Sequence, residues 1–344
     1  MAPGGLTVQD ILLWTAPEVT AKPAFHVYRD AEPADAVPKG AVIALGNFDG
    51  LHLGHRAVIA SALKIAKDRN RPAFAMTFEP HPGTFFNPSV PLFRLSDETA
   101  KLRLLAATGL DGAIVMTFNA RRAATTALDF IHDDLADHCG VAGISVGYDF
   151  HFGKGRAGSP KLLLGETEKL GIVMHLEPRF ALDGEPVSSS IIRAALTEGR
   201  IEHASKLLGH PWFVTGEVIH GEKRGRELGY PTANIRLDPA CGLRHGIYAV
   251  RIGRGHDRFD GVASFGRRPT FDNGAPLLEV FLFDFKGDLY GARLDIAFIG
   301  FIRDELKFDG LEALVRQMDD DSARAKSILA AQPHAFPKLG NIAP

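Results

Sequence analysis

Residues 41–56 constrain the fold more than any other stretch of this chain. Five apolar residues in a row, 41–45, have the length of a strand buried on both faces of a parallel sheet. Gly46 and Gly50 allow a sharp turn, and beyond Gly54 the apolar residues Val58, Ala62 and Ile65 recur at helical spacing, so a helix begins near His52 to His55. A helix start offers unpaired backbone N–H groups and a positive dipole end, and both suit a polyphosphate. His52 and His55, three apart around that first turn, can aim imidazole donors at the same anion. A lone histidine there would read as a cap; a pair flanking Gly54 at a strand-to-helix turn points to function.

Around this turn the first half alternates between short apolar runs (73–78, 113–116, 143–146) and amphipathic segments. Ser96, followed by Asp97 and Glu98, reads as an N-cap with an acidic first turn, and Ser159-Pro160 as another helix start. Residues 1–40 read as a partly ordered lead-in with one candidate strand at 25–28. The alternation predicts an α/β domain with a parallel sheet, whose ligands sit at the carboxyl ends of the strands.

At 344 residues the chain is long enough for two domains, and 45% hydrophobic with 23% charged residues is an ordinary globular composition. A net charge of -2 gives no footprint for nucleic acid or for a membrane surface. Cys139 and Cys241 are the two cysteines, far apart and without metal-ligand spacing, which suits a reducing compartment. No signal-like start and no run long enough to span a bilayer occur, so a cytoplasmic protein is expected.

Three further segments carry chemistry-bearing residues. The run Phe78-Glu79-Pro80-His81-Pro82 follows a strand, where its prolines stiffen a loop. Gly147 to Gly158 combines glycines with Asp149, Phe150, Phe152, Lys154 and Arg156; glycine lets backbone approach a phosphate and the cations can neutralise one. Ser188, Ser189 and Ser190 precede an apolar helical run with Arg193 one turn on, a cap cluster that also makes an anion site.

A boundary is expected close to Gly199, with a linking helix and turn over 200–211. From 212 the pattern changes to short β-like runs divided by glycine-rich turns, the signature of an antiparallel barrel or sandwich, closed by a helix over 311–331. The tail, 332–344, with three prolines, is expected to wander. In Gly225-Arg226-Glu227-Leu228-Gly229-Tyr230-Pro231-Thr232-Ala233-Asn234 the oxygens of Thr232 and Asn234 suit either turn chemistry or magnesium, a hard cation that shares its shell with phosphates and water. Glu279, in a strand-like apolar run, lies either on a solvent face or where it is held for chemistry.

The residues Gly46-Asn47-Phe48-Asp49-Gly50-Leu51-His52-Leu53-Gly54-His55 resemble the signature of the bacterial bifunctional riboflavin kinase and FAD synthetase family, whose first domain is a His-x-Gly-His nucleotidyltransferase. The Phe-Glu-Pro-His-Pro run, the Gly-x-Asp-Phe-x-Phe-Gly block, the triple serine with Arg193, the Gly-Arg-x-Leu-Gly-x-Pro-Thr-Ala-Asn block and Gly266-Arg267-Arg268-Pro269-Thr270-Phe271 resemble the same family, and the likeness runs over about 42–326. It implies a Rossmann-like adenylyltransferase domain over 41–199 and a β-barrel riboflavin kinase domain over 212–331. His52, His55 and Arg193 would serve adenylyl transfer, with Gly46, Asn47, Phe48, Gly54, Ser189 and Ser190 around the nucleotide. Phe78, Pro80, His81, Pro82, Asp149, Phe150, Phe152 and Arg156 would line the flavin side. In the kinase half, Gly221, Gly225, Arg226 and Gly229 would fold over ATP, Arg268 and Thr270 would meet flavin, Thr232 and Asn234 would hold magnesium, and Glu279 would be the general base.

The resemblance further implies riboflavin, FMN, FAD and ATP as substrates or products, with a monomer or weak homo-oligomer. Two positions depart from the family pattern: Phe281 stands where a histidine is usual, and Ser264 where an asparagine is usual. They keep two rivals in play, a flavin-binding regulator with a weakened kinase half and a nucleotidyltransferase for another phosphate acceptor.

Overall fold

The structure, a computed structural model, describes residues 24–30, 38–220, 230–267 and 276–343. The chain divides into two compact units, one formed by 1–92, 97–188 and 338–344 and the other by 93–96 and 189–337.

The first unit is built on a six-stranded sheet of order β1-β4-β3-β2-β5-β6, all of whose pairings are parallel. Its strands are β1 (His26–Arg29), β2 (Val42–Leu45), β3 (Ala73–Glu79), β4 (Gly112–Thr117), β5 (Gly143–Gly147) and β6 (Val173–Glu177). Every side chain of β2 is buried, as expected of a central strand covered on both faces. The connecting helices are α1 (Leu53–Arg69), the short α2 (Pro82–Phe86), α3 (Glu98–Ala106), α4 (Ala120–Ala124), α5 (Ala127–Asp129), which runs on as a π-helix over Phe130–His138, and α6 (Pro160–Lys169). Apolar residues from β2, β3, β4 and β5 meet Phe130, Ile131, Leu135 and Leu163 in one core. A two-stranded hairpin, β7 (Ala181–Leu182) and β8 (Glu185–Pro186), follows β6.

Two expectations are corrected here. Asp97, and not Ser96, caps α3: its carboxylate accepts the Ala100 N–H at 2.7 Å, while Ser96 is buried. The tail does not wander, because Ile342 bridges Phe25, Gly340 N–H donates to the Arg103 carbonyl and Ala343 N–H to that of Phe25.

The second unit contains α7 (Ser189–Thr197), α8 (Ile201–Leu208) and a closed barrel of order β10-β13-β12-β11-β14-β9. Its strands are β9 (Phe213–Ile219), β10 (Thr232–Arg236), β11 (Gly246–Arg254), β12 (Asp257–Arg267), β13 (Pro276–Leu282) and β14 (Arg293–Arg303), all paired antiparallel. Closure leaves no free edge, the problem that any open sheet must solve. The burial of β13 alternates strictly, which sends Leu278, Val280 and Leu282 inward and Leu277, Glu279 and Phe281 outward.

The last helix, α9 (Leu311–Ala331), packs on β11, β12 and β14. Arg251, 5% exposed, pairs with Asp260 at 2.7 Å and donates to the carbonyls of Leu329, Gln332 and Ala335, so one guanidinium fastens the carboxyl end of α9 to the barrel. Arg251→Met should lower the stability of this unit by about 2–4 kcal/mol, from the lost charge-assisted bonds. Urea unfolding followed by Trp212 fluorescence in a Trp14→Phe background checks this; an unchanged midpoint would show that the clamp contributes nothing.

Candidate active sites

In the first unit the turn after β2 is a chain of unusual backbone. Phe48, Gly50 and Leu51 have φ of 50°, 77° and 44°, all in the left-handed region. Such conformations cost of order 1–3 kcal/mol for non-glycine residues and persist where the surroundings fix them. Phe48 is fully buried, with its ring 5.3 Å edge-on from that of His55. The turn delivers His52 to the N-cap of α1, where its Nδ1 accepts the His55 N–H at 3.2 Å.

That bond decides the ring's chemistry: with Nδ1 an acceptor, neutral His52 carries its proton on Nε2, which remains a donor. The His52 and His55 rings stack at 3.6 Å and 12°. Gly54 makes room for this, because a Cβ there would lie 3.3 Å from His52 Nδ1 and Cε1. Gly54→Ala should therefore displace the imidazole and reduce turnover at this site about 10- to 100-fold, the usual effect of misplacing a group by about 1 Å. Steady-state rates on both halves of the chain check it, and an unaffected first half would mean that the ring position is not critical.

At the carboxyl end of β3, His81 caps α2 by accepting the Gly83 N–H at 3.0 Å, with Pro82 in the first turn and Pro80 exposed. Phe78 and Phe152 are built into the core, whereas Phe150 is half-buried and stacks on Phe152 at 5.5 Å. Asp149 and Arg156 are exposed on the loop after β5, which a bridge between Phe152 and Gly158 closes. A cavity of about 490 Å³ opens at the carboxyl ends of β1 and β4, lined by Asp30, Thr117, Asn119, Arg122, Asp134 and His138 among others, and motif reading had selected none of these. Ser189, Ser190 and Arg193 lie on α7 in the second unit, where Arg193 Nε donates to the Phe93 carbonyl at 2.6 Å.

Sequence reading also missed Lys101, 2% exposed on α3. Its ammonium contacts Glu79 at 2.5 Å, Thr77 Oγ1 at 3.2 Å and the Asn47 carbonyl at 3.3 Å. Four residues after Asp97, it looks in sequence like one half of an exposed helical ion pair, and that pattern hides its burial.

In the barrel, Thr232, Ala233 and Asn234 open strand β10, which removes the alternative of turn chemistry for these three residues. Asn234 lies directly opposite Glu279 on β13, and Thr232 opposite Phe281. Ser264 on β12 flanks Glu279 from the other side. Directly opposed antiparallel residues share a face, so Thr232, Asn234, Glu279, Phe281 and Ser264 form one patch on the outer side of the barrel.

Two hydroxyl or amide oxygens and a carboxylate on one face suit a hard cation whose remaining ligands are phosphates or water. Asn234 donates from Nδ2 toward the Thr232 carbonyl at 3.5 Å, leaving Oδ1 for such a role. Among the described residues there is no cluster of three or more His, Cys, Asp or Glu able to hold a metal by itself. The Tyr230 ring lies 4.8 Å from Phe281, and its hydroxyl donates to Asp319; burial, then this bond, push its pKa up to about 12, so it stays a donor. Gly221, Gly225, Arg226, Gly229, Arg268 and Thr270 lie outside the described residues.

A parallel sheet bearing a histidine-capped turn, followed by a closed barrel bearing an oxygen-rich outer patch, defines a two-domain protein with the marks of a phosphate-transferring enzyme. Comparison with known proteins gives the family. The model for FAD synthetase matches residues 34–191 and that for riboflavin kinase matches 208–329. The bifunctional riboflavin kinase/FMN adenylyltransferase of Haemophilus influenzae is 37% identical over 306 residues, covering 88% of this chain and 98% of the relative. The protein of the same name from Escherichia coli K12 is 38% identical over 294 residues, covering 85% and 94%. A crystal structure titled macrolide-efflux protein, from Streptococcus pneumoniae, superposes with a TM-score of 0.77 at 28% identity, covering 87% of this chain and 98% of that one. The chain belongs to the bifunctional riboflavin kinase/FMN adenylyltransferase family. Among the described residues no helix is long and apolar enough to cross a membrane.

Proposed function

We propose that this chain makes FAD from riboflavin in two ATP-dependent steps, phosphorylation to FMN in the barrel half and adenylylation of FMN in the half that carries the histidine turn. The observation that carries this is the pairing of each family match with its own candidate site: the His52–His55 stack within 34–191, and the Asn234–Glu279 pair within 208–329.

In the first step the Glu279 carboxylate takes the proton of the terminal ribityl hydroxyl as its oxygen attacks the γ-phosphorus of ATP and ADP leaves. Thr232 and Asn234 would hold magnesium, which would supply charge neutralisation for the phosphates. In the second step an FMN phosphate oxygen attacks the α-phosphorus of another ATP, the bond to the bridging oxygen breaks, and pyrophosphate departs. His52 Nε2–H and the His55 imidazole donate to the oxygens that gain charge, beside the N–H groups of the α1 start, and no covalent enzyme intermediate is needed.

Gly46, Asn47, Gly54, Ser189, Ser190 and Arg193 are proposed around the nucleotide, Phe48 only through its backbone, since its ring is buried. Phe150, Asp149, Arg156, His81, Pro80 and Pro82 are the proposed flavin contacts, with the buried Phe78 and Phe152 supporting them. We assign 41–199 to adenylylation, 212–331 to phosphorylation and the protein to the cytoplasm as a monomer or weak homo-oligomer. Incubation with riboflavin, ATP and magnesium, followed by chromatography of the flavins, tests the reading; FMN and then FAD should accumulate, and their absence would refute it. Tight flavin binding without turnover would instead favour a regulator in which Ser264 and Phe281, the two residues beside the Glu279 patch, have weakened the kinase.

A further inference from the structure

The ammonium of Lys101 has three N–H donors, and three acceptors surround it: Glu79 Oε1, Thr77 Oγ1 and the carbonyl of Asn47. Thr77 Oγ1 also donates to that same carbonyl, at 3.1 Å. The Asn47 carbonyl therefore receives two hydrogen bonds, one of them charge-assisted, in a place where Thr77 and Lys101 are 0% and 2% exposed. Immediately after this fixed peptide come the left-handed residues Phe48, Gly50 and Leu51, and then His52 at the cap. Glu79, the other arm of the ammonium, ends β3 and leads directly into Pro80, His81 and Pro82.

We propose that Lys101 is a positioning residue for adenylyl transfer: through the Asn47 carbonyl it locks the strained turn that sets the His52 ring, and through Glu79 it ties that turn to the loop bearing His81. This rests on the adenylylation reading above. Lys101 touches no substrate. It acts on where His52 Nε2–H points, and hence on transition-state stabilisation more than on ground-state affinity.

Lys101→Met alone removes the counter-charge 2.5 Å from the Glu79 carboxylate, whose side chain is 10% exposed, so the informative variant is Glu79→Gln/Lys101→Met, which removes both charges together. In this variant kcat for conversion of FMN to FAD should fall about 10- to 100-fold, with KM for ATP changed less than about threefold. Riboflavin phosphorylation in the same sample should hold steady and report the amount of folded barrel unit, while circular dichroism reports the first unit. Nitrogen–proton NMR correlations of the His52 imidazole supply the second readout: the wild type should show the Nε2–H tautomer alone, and the variant a mixture. Wild-type adenylylation in a variant shown by circular dichroism to be folded would overturn the proposal. So would a slowed reaction with the His52 tautomer unchanged.

Should the double variant fail to fold, Thr77→Val keeps the shape and deletes one of the two bonds to Asn47; the same two changes, smaller in size, are expected, and neither appearing would overturn the proposal. A wild-type protein that makes no FAD from FMN would refute the functional reading instead, while the tautomer measurement would still report whether Lys101 sets the turn.

Discussion

His55→Ala should lower the conversion of FMN to FAD about 10²- to 10³-fold and leave the conversion of riboflavin to FMN unaltered, as expected on losing one preorganised donor to a developing anionic charge. His55 is the cleaner of the two histidines to remove. His52 caps α1 through Nδ1, so its loss weakens the helix start as well as the chemistry, whereas the His55 side chain offers its stack on His52 and an edge contact with Phe48. Chromatography of products from a riboflavin-fed reaction should show the variant stopping at FMN. A normal yield of FAD would mean that the backbone N–H groups of the turn carry the phosphate without help from the ring.

The opposite block is expected of Glu279→Gln. With an amide in place of the carboxylate nothing accepts the ribityl proton, and phosphorylation of riboflavin should fall about 10²- to 10⁴-fold. Added FMN should still become FAD at the normal rate, because Glu279 belongs to the barrel and the histidine turn to the other unit. The two variants mixed together should restore FAD synthesis from riboflavin, since FMN released by one can be used by the other. If Glu279→Gln phosphorylates riboflavin normally, another group takes the proton, and Asn234, its cross-strand partner, has no capacity to be that base.

The histidine turn of the first unit was legible in the sequence because its signals are local: an apolar strand, two glycines and a helix start all lie within 41–56. The outer patch of the barrel was legible only in part. Glu279 stood out in an apolar run, but its neighbours come from three strands, and only the pairing of β10, β13 and β12 brings Asn234 and Ser264 beside it. The Pro-Thr-Ala-Asn block leaves turn chemistry and a metal site equally open in sequence, and only the pairing of Thr232 to Asn234 within β10 removes the turn for those residues. The tail was misjudged for a similar reason: prolines said nothing about a strand-like bridge to Phe25, more than three hundred residues away in sequence. Lys101 was invisible because nothing in a lysine's neighbourhood on a helix announces that it will turn inward.

The barrel's alternation has a practical consequence. Ala233, Ile235, Leu278 and Val280 fill its interior, while the oxygen-bearing residues stand on the other side of the same strands. Thermal robustness and the proposed phosphoryl transfer thereby fall on interleaved positions of the same ribbon. Libraries that vary only the inward set can harden the scaffold for use with unnatural vitamin analogues, and libraries that vary only the outward set can retune acceptor choice, each without rewriting the other.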